Sequence, residues 1–309
     1  MGKKDKADRN FFEKKERFAE LMNHIYNRKT DKICPEDLVV IRRNYAPLAF
    51  PFGGKERDLL MFDKKRNIYY GLEIETESDY SMPERIMVYD ASEYEEQIKE
   101  IHNKNLESKS YKTYREKKSR MTQKDFLIPI ITSVLYLGTN HWKGRRTLSQ
   151  MFSNKKQAEQ LLGNRYPEYD FPLLEADYQN PEIYRTDLKE FFQAMQCRLD
   201  KNRLRALFNT EAFQNLSPDT EWAIAIHLNI SRLVKKMEKE EVGMCKAFQD
   251  LMEEERREGK KEGRREGKKE GRKEEKIQTI RRMVQEGLDE GIINRVTKCT
   301  KEEFQAALN

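Results

Sequence analysis

The sequence has no apolar run of about 18 residues, the length a membrane-crossing helix needs. Its first residues (Lys3, Lys4, Asp5, Lys6) also lack the apolar stretch that follows the basic residues of a secretory signal. The expectation is a cytoplasmic chain with no membrane partner. Only four cysteines occur, Cys34, Cys197, Cys245 and Cys299. They stand far apart, with no CxxC pair and no histidine at zinc-ligand spacing, so they read as reduced and structural. Histidine is equally sparse: His24, His102 and His227 have no partner at a catalytic spacing and receive no role. Nor does one sign of charge dominate. Sixty Lys and Arg against 54 Asp and Glu leave a net charge of +6, which permits nucleic-acid binding without requiring it.

What is present is enough to bury a core. Hydrophobic residues make up 37% of the 309, and charged residues another 37%, a polar balance that still excludes a wholly disordered chain. The length exceeds what one core comfortably fills, so two folded parts and a linker are expected.

Phe11, Phe18, Leu21, Met22, Ile25 and Tyr26 share one helical stripe and predict an amphipathic helix over residues 10–27, with Pro35 beyond its end. Leu38, Val39, Val40 and Ile41 suit a strand, and Gly53-Gly54 a loop after it. Asp58 to Phe62 and Ile68 to Glu75 flank the polar turn Asp63-Lys64-Lys65-Arg66-Asn67, the pattern of a β-hairpin. Pro83 opens a long helix that turns Ile86, Tyr89, Tyr94 and Ile98 inward. Phe126 to Leu137 reads as a strand buried on both faces. The order of helix, strands, helix and strand predicts an α/β or α+β domain. From Asp187 to Asp250 the pattern is helical, with Ser217 and Pro218 at one helix start.

The tail changes character at Glu253. EEERREGKKEGRREGKKEGRKEEK has no apolar residue and places Gly at every fourth position. Charges at i and i+4 such as Glu258 and Glu262 repel, and each Gly costs a helix about 1 kcal/mol relative to Ala, so a solvated linker with marginal helicity is expected. After it, three short apolar clusters predict three short helices, the last capped by a Thr300–Glu303 box. The expected organisation is a main domain at 8–185, a helical extension at 186–252, a linker at 253–276 and a small helical module at 277–309.

The chemistry centres on the hairpin. A phosphodiesterase that works through Mg²⁺ needs carboxylates a few ångström apart, because the ion prefers hard oxygen ligands. Glu73 and Glu75 are two apart on a strand and leave the same face, and folding back near Lys65 brings Asp58 opposite Leu72 and Glu73. Acids are unusual inside strands, although a hairpin with one solvated face would show the same pattern. Arg85 and Tyr89, one helical turn apart, could hold a phosphate or simply pack. Glu20 is a candidate extra ligand from the first helix. His141 and Trp142, beside Lys143, Arg145 and Arg146, form the most basic aromatic cluster and a candidate contact to DNA backbone.

RDLLMF followed by IYYGLEIETESDYSMPERIMVYD resembles the recombination-promoting nuclease family, transposase-like members of the PD-(D/E)XK superfamily. The likeness continues in order through LIPIITSVLYLG, HWKGRRTL, YRTDLKEFF, GMCKAF and the charged repeat. It implies a restriction-endonuclease-like mixed sheet flanked by helices, with a helical C-terminal half and a charged linker. It also implies Mg²⁺-dependent, or Mn²⁺-dependent, DNA cleavage in recombination or mobile-element activity. The family's metal-binding acids fall on Asp58 and Glu73. Its Gln or Lys falls on Glu75, where this sequence departs from the pattern. A charged carboxylate at Glu75 could join Asp58 and Glu73 as a third metal ligand, but it offers the phosphate no donor, so slow turnover is expected, with a faster rate after replacement by Gln or Lys. Two other functions compete: a nuclease-fold protein that binds DNA or assembles, as a homo-oligomer or otherwise, without turnover, and a scaffold whose tail recruits a partner.

Overall fold

A computed structural model describes residues 2–42, 57–163 and 168–308. The expected loop at Gly53-Gly54 lies outside the described residues. Two compact units are resolved, one running to Cys245 and the other from Lys246.

In the first unit, the stripe predicted over residues 10–27 is shared by two helices, α1 (Lys3–Phe12) and α2 (Lys15–Ile25). The break at Glu13-Lys14 divides the stripe between the two helices, and Phe11 and Phe12 of α1 and Phe18 of α2 are all buried. Strand β1 (Leu38–Val40) then leads to the hairpin of β2 (Leu59–Asp63) and β3 (Ile68–Glu75). Asp63, expected in the solvated turn, is fully buried. Its carboxylate accepts from the N–H groups of Lys65 and Arg66, both at 3.0 Å, and pairs with the Arg66 guanidinium at 2.8 Å. The turn thus uses an acid as its internal acceptor.

Helix α3 (Met82–Glu107) begins as Pro83 predicts and crosses over to β4 (Ile130–Tyr136), with the short α4 (Tyr114–Ser119) on the way. The strand is shorter than its apolar run, and Phe126 is 81% exposed ahead of it. Helix α5 (Lys155–Leu162) precedes β5 (Leu173–Glu175). The five strands form one mixed sheet in the order β1-β2-β3-β4-β5. β2 runs antiparallel to both of its neighbours, β1 and β3, while β3, β4 and β5 run parallel. This is an α/β architecture, and β3 is central to it. Flanked by β2 and β4 and buried over six of its eight residues, it carries the acids into the protein and not to a solvated face.

The helices α6 (Leu188–Cys197), α7 (Lys201–Phe208), α8 (Glu211–Gln214), α9 (Pro218–His227) and α10 (Ser231–Glu240) complete the first unit. The boundary expected at residue 185 is bridged by a buried cation. Arg17 of α2 bonds Asp187 through Nε at 2.6 Å and Thr220 through Nη2 at 2.6 Å, and it also pairs with Asp219. Phe11, Phe12 and Phe191 stack beside it, with ring centroids 4.8 to 5.5 Å apart. Helices α6 and α9 therefore share a core with α1 and α2.

In the second unit, the charged repeat is part of one helix, α11 (Met244–Gln285), and is exposed from Arg256 to Glu275. The expectation of solvation agrees with this, whereas the marginal helicity does not. Apolar residues at both ends, Phe248 and Leu251 before the repeat and Ile277 and Ile280 after it, continue one helical run through it. Helices α12 (Glu290–Thr297) and α13 (Lys301–Leu308) then fold back so that Ile280, Ile293 and Ala307 are buried together. The Thr300–Glu303 box closes as expected, at 2.9 and 3.2 Å. Among the described residues no helix is long and apolar enough to cross a membrane.

Candidate active site

The hairpin register sets Leu59 opposite Leu72, so Asp58 arrives beside Glu73 where β2 begins. Its Oδ2 accepts a hydrogen bond from the N–H of Ile74 at 2.8 Å, which fixes the carboxylate against the edge of β3. Burial, and next the charge of Glu73, push the Asp58 carboxyl well above the usual carboxylate range; the Ile74 N–H works the other way. Glu73 is only 1% exposed. Burial raises its carboxyl too, against the pull of the Arg85 and Arg57 guanidinium groups. Its Oε2 accepts from Arg85 Nη2 at 3.0 Å, whereas its Oε1 is buried with no hydrogen-bond partner.

Glu75 leaves the same face of β3 as Glu73 and shares the same guanidinium: Arg85 Nη2 bonds both, and Nη1 bonds Asp79 Oδ2 at 2.7 Å. Burial alone would lower the Arg85 pKa, but the carboxylates of Glu73 and Glu75 overcome it and raise it. The sequence left Arg85 either a phosphate contact or a packing residue. It is buried among acids instead, in the first turn of α3, where it is held by three carboxylates.

Beneath the acids lies a second ion pair. Arg57 is buried, pairs with Asp90 and passes over Gly71 of β3, while Thr132 of β4 donates to Asp90 Oδ1 at 2.8 Å. A Cβ on Gly71 would lie 2.5 Å from Arg57 Nη1 and 2.6 Å from Thr132 Oγ1, so only glycine admits this cation. Tyr89 packs between the two guanidinium groups, 5.6 Å from that of Arg57 and 6.0 Å from that of Arg85. Its hydroxyl is buried without a partner.

Glu20 does not reach this site. Its carboxylate accepts from the N–H groups of Arg185 at 2.7 Å and Thr186 at 3.0 Å and tethers the chain before α6. The first-helix acid near the site is Asp8, whose charge adds to the upward shift of Asp58 and which pairs with the buried His227 of α9. Reading the sequence missed Asp8, Arg57 and Asp90, and no local spacing could have found them.

Of the basic aromatic cluster, Lys143 and Arg145 border the segment that carries Asp79: Lys143 N donates to Ser78 Oγ at 2.8 Å and Arg145 Nη1 to Tyr80 O at 3.2 Å. Both residues are exposed. Arg146, exposed as well, donates to Phe171 O at 2.9 Å and stacks over the Phe171 ring. His141 stacks on Tyr178 with centroids 3.9 Å apart.

The donor set suits a divalent cation in part. Asp58 and Glu73 present hard oxygens in a desolvated, strongly anionic place, and Glu73 Oε1 has an unused acceptor site. Glu75 does not complete a cage with them. Among the described residues, no three His, Cys, Asp or Glu side chains form a group that could hold a metal ion. The guanidinium of Arg85 stands between Glu73, Glu75 and Asp79. No protein-family model, curated protein or solved structure matches the chain.

Proposed function

We propose that this chain is a metal-dependent DNA nuclease with a restriction-endonuclease-like sheet, and that Asp58 and Glu73 hold Mg²⁺ or Mn²⁺. One observation carries the reading: two carboxylates, brought together by the hairpin register, stand side by side with Glu73 buried and Asp58 half-buried, and a buried oxygen of Glu73 lacks any hydrogen-bond partner. Burying uncompensated carboxylate is costly, and a divalent cation is the ligand that offsets that cost best. When bound, the ion supplies positive charge to a phosphate and acidity to a water molecule. The protein's own part is to fix Asp58 through the Ile74 N–H, to hold Glu73 beside it on β3, and to offer Lys143 and Arg145 to the DNA backbone nearby.

Incubation of supercoiled and linear DNA with the protein tests this, with Mg²⁺, with Mn²⁺ and with chelator. Cleavage that needs metal and disappears in folded Asp58→Ala and Glu73→Ala variants is the expected result. Undiminished cleavage by folded Asp58→Ala would remove the site. A second reading, DNA binding or assembly without turnover, draws on the position of Arg85, which occupies the side of Glu73 that a fully open site would leave free. DNA binding without cleavage in any metal would favour it.

A further inference from the structure

Arg57 is hydrogen-bonded to Asp90 and acts on Glu73 only through its charge, whereas the guanidinium of Arg85 hydrogen-bonds Glu73, Glu75 and Asp79 directly. Its three partners lie at two depths. Glu73 forms the floor at 1% exposure, while the Glu75 and Asp79 side chains, 19% and 20% exposed, form the rim. Floor and rim are thus spanned by one side chain, and the floor acid keeps an unpartnered buried oxygen, Oε1.

A guanidinium and a divalent cation cannot both sit against one buried carboxylate at little cost, because so little solvent reaches Glu73 to screen their repulsion. Retreat to the rim costs Arg85 less, since it keeps its charge-assisted hydrogen bonds to Glu75 and Asp79. We infer that Arg85 is the resident counter-ion of Glu73, that a divalent cation binds only as the guanidinium leaves Glu73 for the rim, and that Glu75 acts by holding Arg85 there and not as a metal ligand. The inference rests on the proposed role of Asp58 and Glu73 as the ion's ligands. It makes Arg85 a competitor of the metal and Glu75 a positioning residue.

Mn²⁺ binding to the 309-residue chain, followed by calorimetry and by the electron paramagnetic resonance of the free ion, tests it without any cleavage measurement. Arg85→Gln should bind Mn²⁺ about tenfold more tightly than the parent protein, and Arg85→Lys by a smaller factor. Glu75→Gln should weaken binding in the parent background but leave it unchanged when added to Arg85→Gln, because Glu75 acts through the arginine. Thermal melts establish that each variant is folded, and if Arg85→Gln is not, Arg85→Lys and Glu75→Gln carry the same comparison. Folded arginine variants that bind Mn²⁺ no better than the parent, or not at all, overturn the inference. So does a Glu75→Gln loss that persists in the Arg85→Gln background, which would make Glu75 a direct ligand. The expected Mn²⁺ pattern with no DNA cleavage would keep the role of Arg85 and reject the nuclease. Metal-dependent cleavage with Mn²⁺ affinity indifferent to Arg85 would do the reverse.

Discussion

Asp58 Oδ2 and the backbone N–H of Ile74 lie 2.8 Å apart, and this hydrogen bond holds the Asp58 carboxylate beside Glu73 despite their mutual repulsion. The bond opposes the upward shift of Asp58 without cancelling it.

A pH dependence of stability follows, with a definite sign. Asp58 and Glu73 both have carboxyl groups raised above their unfolded values, which are about 4. The folded state therefore holds these protons more tightly than the unfolded state does. Their stabilising contribution is fully present below the unfolded values and is lost as pH rises through the folded ones. In chelator, urea midpoints should show the parent losing stability relative to Asp58→Asn, which keeps an acceptor for Ile74, as pH is raised from about 4 toward neutrality, because paired acids held below the usual range, such as Asp187 and Asp219, act alike in both proteins. Equal slopes in the two proteins would show that Asp58 is not the group responsible.

Gly71 should tolerate no side chain. An alanine Cβ would meet Arg57 Nη1 and Thr132 Oγ1, and neither yields easily, because both are bonded to the buried Asp90. Gly71→Ala should cost about 2 kcal/mol in urea unfolding. A change within about 0.5 kcal/mol, the range of ordinary surface substitutions, would mean that Arg57 has another place to go.

The repeat in α11 should gain from the same substitution. Nothing lies within 4 Å of where a Cβ would stand on Gly259, Gly263, Gly267 or Gly271. Each Gly→Ala change should therefore add roughly 0.5 to 1 kcal/mol of local helix stability, with no packing penalty. Trypsin should cut the parent protein first within residues 253–276, and the four-alanine variant should resist it there for longer. Unaltered cleavage in the variant would mean that fraying of this helix does not set its susceptibility.

Local pattern made several elements legible. The hairpin and its register could be read because alternation and the turn are encoded within 18 residues, and the register alone placed Asp58 against Glu73. Pro83 marked the start of α3, and Thr300 with Glu303 that of α13. What could not be read joins distant residues: Asp90 with Arg57 across 33 positions, His227 with Asp8 across 219, and Arg17 with Asp187 across 170. Each is a charge with no periodicity of its own, and only the packed chain assigns it a partner. The break between α1 and α2 was hidden because both helices contribute to one apolar stripe. The continuity of α11 was hidden because its apolar anchors lie outside the charged repeat.

Arg85 gives Glu75 a partner that the sequence did not reveal, and this changes the expected effect of replacing it. As a bare carboxylate facing a phosphate, Glu75 would slow cleavage, and Gln would relieve the repulsion. Paired with Arg85, it holds a cation at the rim, beside Asp79 and near the exposed Lys143 and Arg145. In the proposed cleavage, positive charge fixed there would stabilise the charge that develops on a phosphate in the transition state, which a freely moving side chain does less well. Glu75→Gln keeps one acceptor for Arg85 but loses the ionic part of the pairing, so cleavage should slow by about tenfold, equivalent to about 1.4 kcal/mol of transition-state stabilisation. Glu75→Lys places a second cation against Arg85 and should slow it further. Single-turnover cleavage at saturating Mn²⁺ separates this from weaker metal binding. A faster Glu75→Gln enzyme under those conditions would restore the bare-carboxylate view and leave Arg85 a structural counter-ion only.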